Sequence, residues 1–538
     1  MEITHIPFSK LPMLAKMDRA YAEQDPALKS FQKYPFDIAS FHDAIHDKAK
    51  TPIDRQTLVA TLKRQYKGVS NNQIESLLSE KTFTVTTAHQ PSLFTGPLYF
   101  IYKIFSTINL AKTLKTTYPD YHFVPVFVIG GEDHDFEEVN FINIFNKKLT
   151  WERANTEGGA VGMMKTDSLR PLLDELKPVL GESDNAKHIF QIIEKSYTQN
   201  AVYQDATQDL LIQLFDIYGL VVLNMNDADL KRLFIPIMKK EIVEQPSKQL
   251  VEKTQNQLAA LGFKSQAFPR EINLFYLRDN LRERIVFEPS SNTDESSVSR
   301  GVYKVLNTHF QWDSIEAILK ELETTPQYFS PNVVLRPLFQ ESILPNLAYV
   351  GGGGELAYWL ERKTQFAYFN VNFPILVRRN SALFLDKGSK DRLTKLNLQL
   401  TDLIEDTDSF IKKYVAQISD TPLSMEAEKA KIEQIFSKIL IKAVAIDPTL
   451  EKVVLAEKTK AVQSVEIIES KLMKAEKQKN ETAINQIRNL TQKFFPNGGL
   501  QERFDNFLPY YLKYGDAFFD VLNENLNPFD SGMVVLTD

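Results

Sequence analysis

Cysteine is absent from all 538 residues, which excludes disulfides, thiolate metal sites and a cysteine nucleophile. Any metal would have to be held by His, Asp or Glu. No apolar run reaches the roughly 20 residues needed to span a bilayer, and Met1-Glu2-Ile3-Thr4 lacks the basic-then-apolar pattern of a secretory leader. The chain therefore reads as cytoplasmic, with no membrane partner. An excess of positive charge is missing too, and the formal net charge of −6 argues against a general nucleic-acid binder. What the chain does have is length for two or more domains and 43% hydrophobic residues, ample for a buried core.

The organising stretch is 82–114. An apolar run, Thr82 to Thr87, leads into Ala88-His89-Gln90-Pro91-Ser92-Leu93-Phe94-Thr95-Gly96-Pro97-Leu98-Tyr99. From Leu98 the apolar residues Leu98, Ile101, Tyr102, Phe105 and Ile108 form a helical stripe, and Pro97 stands where a first-turn proline is tolerated. A strand, a polar turn and a helix N-terminus direct backbone donors at the crevice above a sheet, which suits a carboxylate or phosphate. His89, Gln90, Thr95, Gly96, Tyr99 and Lys103 are the candidates there. Tyr99 and Lys103 are four apart and share a helical face; Lys103 reads equally as an anion partner or a solvated lysine. His89 reads as a stabiliser of developing charge or as a simple turn cap.

A second apolar strand, Phe123 to Ile129, runs into Gly130-Gly131-Glu132-Asp133-His134-Asp135-Phe136-Glu137-Glu138. Glu132, Asp133, His134, Asp135 and Glu138 supply acids, a base and potential metal ligands within seven residues. His134 is the candidate acid/base, with Asp133 or Asp135 orienting it. The cluster could also ligate Mg, Mn or Zn, although no metal is required. The competing explanation is helix chemistry, with Asp135 as a cap and Glu137 and Glu138 in a first turn.

Further along, residues 167–215 alternate amphipathic helices with polar joints, and Gly219 to Leu223 is another short apolar strand candidate. Short apolar strands separated by helices are the signature of a parallel sheet covered on both faces. Residues 227–261 read as one or two helices with breaks at Pro236 and Pro246. Asn273–Leu277 and Arg284–Phe287 could pair as an inserted hairpin. Val333-Val334-Leu335-Arg336-Pro337 reads as a strand, with Arg336 able to fork onto a carboxylate or to form a structural ion pair. Leu347 to Val350 is a strand before Gly351-Gly352-Gly353-Gly354-Glu355, a run that permits close backbone approach but lacks the spacing and lysine of a phosphate loop. From about Lys387 the apolar residues take three-four spacing, predicting helices near 387–419, 422–446 and 448–493. An antiparallel helical arm follows, whose seam could also pair two subunits.

The H-Q-P-S-L-F-T-G-P-L-Y turn, the G-G-E-D-H-D-F-E-E-V stretch and R-P-L-F-Q-E-S-I-L-P-N-L-A-Y-V-G-G-G-G-E-L-A-Y-W together resemble the bacillithiol-biosynthesis cysteine-adding enzymes, over essentially the whole length. The resemblance implies an α/β fold: a Rossmann-like parallel core with helices on both faces across 1–386, including a helical lead-in and inserted segments at about 150–330. A coiled-coil domain would span 387–493, and a tail, 494–538, would return to the core. It also implies a ligase joining L-cysteine to the amino group of glucosaminyl-malate, as the last step towards bacillithiol, in a homodimer. The amide requires an activated carboxyl, a deprotonated amine and oxyanion donors. Under this reading His89, Asp133, His134 and Asp135 are catalytic. Gln90, Thr95, Gly96, Tyr99, Lys103, Glu132, Arg336, Gly352, Gly353, Glu355 and Tyr358 bind substrate, Arg336 taking its carboxylate and Glu355 its ammonium. Adenine nucleotide (ATP or ADP) is the candidate activator, without a strict nucleotide signature. The alternatives are a nucleotidyltransferase acting on another small acid, and a coiled-coil scaffold with an inactive core.

Overall fold

The computed structural model describes residues 1–145, 147–153, 159–289 and 301–538. The chain divides into two units: Thr4–Leu383 with Glu502–Val535, and Phe384–Gln501 with Met1–Ile3 and Leu536–Asp538.

In the first unit, five apolar segments form strands β1 (Thr82–His89), β2 (His122–Ile129), β3 (Val221–Asn224), β4 (Asn346–Gly351) and β5 (Ile375–Arg378). They pair in the order β5-β4-β1-β2-β3, every pairing parallel. The strands are near-continuously apolar because both faces are covered. Phe83, Val85 and Phe123 pack with Leu110 and Leu114 of helix α1 (Tyr99–Thr117). Val124, Val126 and Val128 pack with Leu230, Phe234 and Met238 of helix α2 (Ala228–Glu244). This is the Rossmann-like arrangement expected, and it brings every strand's carboxyl end to one edge.

Two local expectations change. Pro236 does not break a helix: α2 runs through it, and the break falls at Gln245, in a left-handed conformation before Pro246 opens the next helix, Pro246–Ala260. Val333–Pro337 is not a strand either. The Asn332 side chain accepts from the backbone N–H groups of Val334 (2.8 Å) and Leu335 (3.3 Å), bending the chain into helix α3 (Arg336–Ile343), with Pro337 in its first turn. The true strand there is Phe329–Pro331. It borders a separate antiparallel sheet built on the hairpin Leu274–Arg278 and Leu281–Pro289, in which Phe275 faces Arg284.

In the second unit, helices span Lys387–Lys395, Thr407–Ile418, Glu426–Ile446, Glu451–Lys479 and Glu481–Phe494. The expected 387–419 helix is divided, stopping before Asn397, whose φ of 54° is left-handed. Asp447 does cap the turn at Pro448, accepting from Thr449 N–H at 2.8 Å, whereas Thr421-Pro422 starts no helix. Glu469 accepts from Lys429 at 3.1 Å and from the Met425 N–H at 3.2 Å, and Lys458 lies 3.5 Å from Glu433, which makes the two long helices an antiparallel hairpin.

Candidate active site

Above the carboxyl edge of the parallel sheet is a cavity of about 650 Å³, ordinary for a small-molecule site. From the ends of β1 and β2 come His89, Gln90, Glu132 and Asp133, and α1 contributes Tyr99. Beyond β4, helix α4 (Gly353–Leu360) and its preceding turn bring Gly352, Gly353, Glu355 and Tyr358, and α3 brings Arg336.

The charged groups are organised by pairing. Lys103, fully buried on α1, donates to the Ala88 carbonyl and to Glu355 at 2.9 Å, so it stands behind the cavity wall rather than on it. Glu355 also accepts from the Tyr349 hydroxyl (2.7 Å) and the Gly352 N–H (2.9 Å), the last as an N-terminal helix contact. Burial opposes its charge, but Lys103 and the Gly352 N–H hold its pKa down to about 2. With three donors engaged, Glu355 retains little acceptor capacity for a substrate ammonium. Arg336 differs: its guanidinium donates to the Tyr358 hydroxyl at 2.8 Å and, among the described residues, has no carboxylate within ion-pair reach. Although burial opposes its charge, the two tyrosines Tyr358 and Tyr349 and Glu355 raise its pKa.

His89 Nδ1 is 3.0 Å from the Gln90 carbonyl, which can only accept, so the proton is on Nδ1. Nε2 then accepts from the Tyr99 hydroxyl at 3.2 Å. Burial and the nearby Lys103 cation lower the His89 pKa to about 4, which keeps the imidazole neutral at neutral pH.

The alternative of a helix capped by Asp135 does not form; 131–140 is irregular and the next element is the strand Phe141–Ile144. Helix-dipole chemistry therefore does not explain its carboxylates. Asp133 accepts from the Gln90 amide (2.7 Å) and from the His134 N–H (2.7 Å) and lies 3.5 Å from Arg282. Burial opposes ionisation, but His134, Arg282 and Gln90 hold its pKa well below the ordinary range. His134 lies outside the cavity lining, half exposed, with Nδ1 at 2.7 Å from Arg282. The same Nδ1 lies 3.4 Å from Asp133 Oδ1, so His134, Arg282 and Asp133 form one cluster. Asp135 is exposed and also outside the lining. Glu132 pairs with buried Lys231 of α2 and accepts from Ser330 at 3.0 Å.

Thr95 and Gly96 are likewise outside the lining. Phe94, Thr95 and Gly96 have φ of 44°, 69° and 61°, a left-handed turn, and a Cβ at Gly96 would lie 2.9 Å from that of Ser92. Asn506 caps the Phe94 and Gly96 carbonyls at 3.0 and 2.6 Å, and Leu98 N–H donates to the Asp505 carbonyl at 2.7 Å. The carboxyl-terminal segment thus takes the Leu98 N–H, a donor that an anion at the start of α1 would need. Within the glycine run, Gly353 makes room for Asp18: a Cβ there would fall 2.0 Å from the Asp18 carboxyl carbon, and Asp18 grips Arg378 at 2.6 and 3.1 Å.

Three further arginines line the cavity, none singled out from sequence. Arg379 follows β5 directly, the strand-end position that marked His89, and donates to buried Glu502 at 2.7 Å. Arg282 reaches in from the antiparallel hairpin, stacked 3.9 Å over Phe275. Arg503 comes from the carboxyl-terminal segment, for which no sequence pattern gave a signal.

Comparison with known proteins covers both units. Residues 1–380 match the family model "Bacillithiol biosynthesis BshC, N-terminal Rossmann-like domain", and residues 382–537 match its "C-terminal coiled-coil domain". Relatives in Flavobacterium johnsoniae and Flavobacterium psychrophilum are 39% and 40% identical, each over 97% of both chains. One from Bacillus cytotoxicus is 27% identical over 93% of this chain and 94% of its own. Each carries the words cysteine ligase BshC in its name.

Proposed function

The chain belongs to the bacillithiol-biosynthesis BshC family, and we propose that its cavity joins L-cysteine to the amino group of glucosaminyl-malate through an amide bond. The observation that carries this reading is the distribution of charge in the cavity. Arg336 from α3 and Glu138 from the loop after β2 line the cavity with opposite charge and with no ion-pair partner among the described residues. A substrate bearing carboxylates at one end and an amine at the other matches that pair. Arg336, unpaired with any carboxylate among the described residues, receives a substrate carboxylate in bidentate fashion, and Arg379 and Arg503 line the same cavity. Tyr99 gives its one hydroxyl proton to neutral His89, which leaves its oxygen facing the cavity as an acceptor for a substrate donor.

The cysteine carboxyl needs activation, and the cavity arginines suit a phosphate as well as a carboxylate, which fits an adenine nucleotide as the activator. Incubating the full chain with cysteine and glucosaminyl-malate, with and without ATP, tests both points by product mass and nucleotide release. Amide formation with cysteine-dependent AMP or ADP is expected. No amide under any condition rejects the ligase, and amide without nucleotide turnover rejects the activator.

The same reading includes a homodimer and a cytoplasmic location. The long helices of the second unit expose Ile435, Ile439, Ile441 and Ile446, which supports pairing of two copies through the coiled coil. Among the described residues no helix is long and apolar enough to cross a membrane.

A further inference from the structure

Among the described residues four carboxylates line the cavity: Glu132, Asp133, Glu138 and Glu355. Three are already committed, Glu132 to Lys231 and Ser330, Asp133 to Gln90, Arg282 and a backbone N–H, and Glu355 to Lys103, Tyr349 and Gly352. Glu138 is in a different position. Among the described residues it has no ion-pair partner; the charges that act on it, Asp135 and Asp133, share its sign, and only the neutral Gln90 amide favours its charged form. It is also the exposed one, able to exchange protons with water.

An uncompensated carboxylate on the acidic side of a site that must deprotonate an ammonium has a specific use. We propose that Glu138 is the general base that takes the proton from the acceptor's ammonium, an assignment that rests on the ligase reading above. The N–H bond breaks and an O–H bond forms on Glu138. The nitrogen keeps its electron pair for attack on the activated cysteinyl carbonyl, and the resulting carboxylic acid returns its proton to solvent.

The surroundings suit this task. Asp133 and Asp135 come from the same loop, the Gln90 amide from the end of β1, Tyr99 from α1, and Arg282, bound to Asp133, from the hairpin. Partial burial and the two aspartates raise the Glu138 pKa above that of an ordinary glutamate, bringing the base nearer the amine it serves.

The test compares wild type, Glu138→Gln and Glu138→Asp in two measurements. In steady-state assays, Glu138→Gln lowers kcat about 10²-fold at pH 7. The loss shrinks as pH rises, because the ammonium then gives up its proton to solvent unaided, and Glu138→Asp restores part of the rate with the wild-type pH profile. In calorimetry at pH 6, wild type prefers glucosaminyl-malate to its N-acetylated counterpart, and Glu138→Gln abolishes that preference. A lowered rate with an unshifted pH profile, or an unchanged preference for the amine, overturns the assignment. If wild type forms no amide, the ligase reading falls and calorimetry alone decides. Loss of the preference in Glu138→Gln then keeps Glu138 as the ammonium's partner, and its persistence removes that role.

Discussion

In the unit that holds the cavity, four buried ion pairs surround or support the sheet edge. Lys103 meets Glu355, Lys231 meets Glu132, Arg379 meets Glu502 and Arg378 meets Asp18. The hairpin of the other unit shows the reverse: neither Glu426–Ile446 nor Glu451–Lys479 contains a buried residue, and isoleucines stand in solvent along both. A parallel sheet with two covered faces can satisfy its polar and apolar groups within one chain. Two antiparallel helices bury only the seam between them and leave the outer stripes for something else to cover. Against these pairs, Arg336 and Glu138 line the cavity with no ion-pair partner among the described residues, which makes them informative about ligands. Exposure in the second is informative about assembly.

The largest effect expected is from Lys103→Met. Removing a fully buried cation strands Glu355, and urea denaturation should show a loss of about 3–5 kcal/mol, partly recovered by adding Glu355→Gln. An unchanged midpoint would break the contrast between matched and unmatched charge. Arg336→Ala should act the other way round, because no carboxylate is left behind: unchanged melting, but kcat/KM lower by about 10²-fold, the scale of losing a desolvated charged contact. For the arm, Ile439→Asp with Ile446→Asp should turn a dimer into a monomer in sedimentation velocity while the first unit melts as before; wild-type sedimentation of that variant removes the coiled-coil interface. The smallest effect concerns His89. Its folded pKa of about 4 lies below the ordinary 6.5, so between those values the unfolded chain binds a proton that the folded one refuses. Stability should fall as pH drops from 6.5 to about 4 and gain no further slope from this residue below that. His89→Gln should flatten that stretch of the stability profile, and an unaltered slope would count against the neutral buried imidazole.

Much of the site's framework was legible because apolar strands announce themselves. The runs ending at Thr87, Ile129 and Val350 became β1, β2 and β4, and residues directly after them, His89, Gln90, Glu132, Asp133 and Glu355, line the cavity. Position after a strand worked because parallel strands share one carboxyl edge. It would have found Arg379 as well. The same rule could not say that the start of α1 is capped by Asp505 and Asn506, more than 400 residues away in sequence. Nor could it say that Lys103, one helical turn from Tyr99, points behind the wall. Val333–Leu335 misled because a β-branched pair suggests extension, whereas the Asn332 side chain supplied turn contacts that pattern reading did not weigh.

From its residues alone the chain determined that it would form a parallel sheet with a helical arm, and which loops would carry chemistry, since periodicity and strand ends are local properties. Which of those loop residues keep a free charge was decided only by tertiary structure. That outcome depends on whether a distant partner, such as Glu502 for Arg379 or Lys231 for Glu132, arrives within ion-pair reach, and folding sets those distances between residues that sequence spacing does not relate.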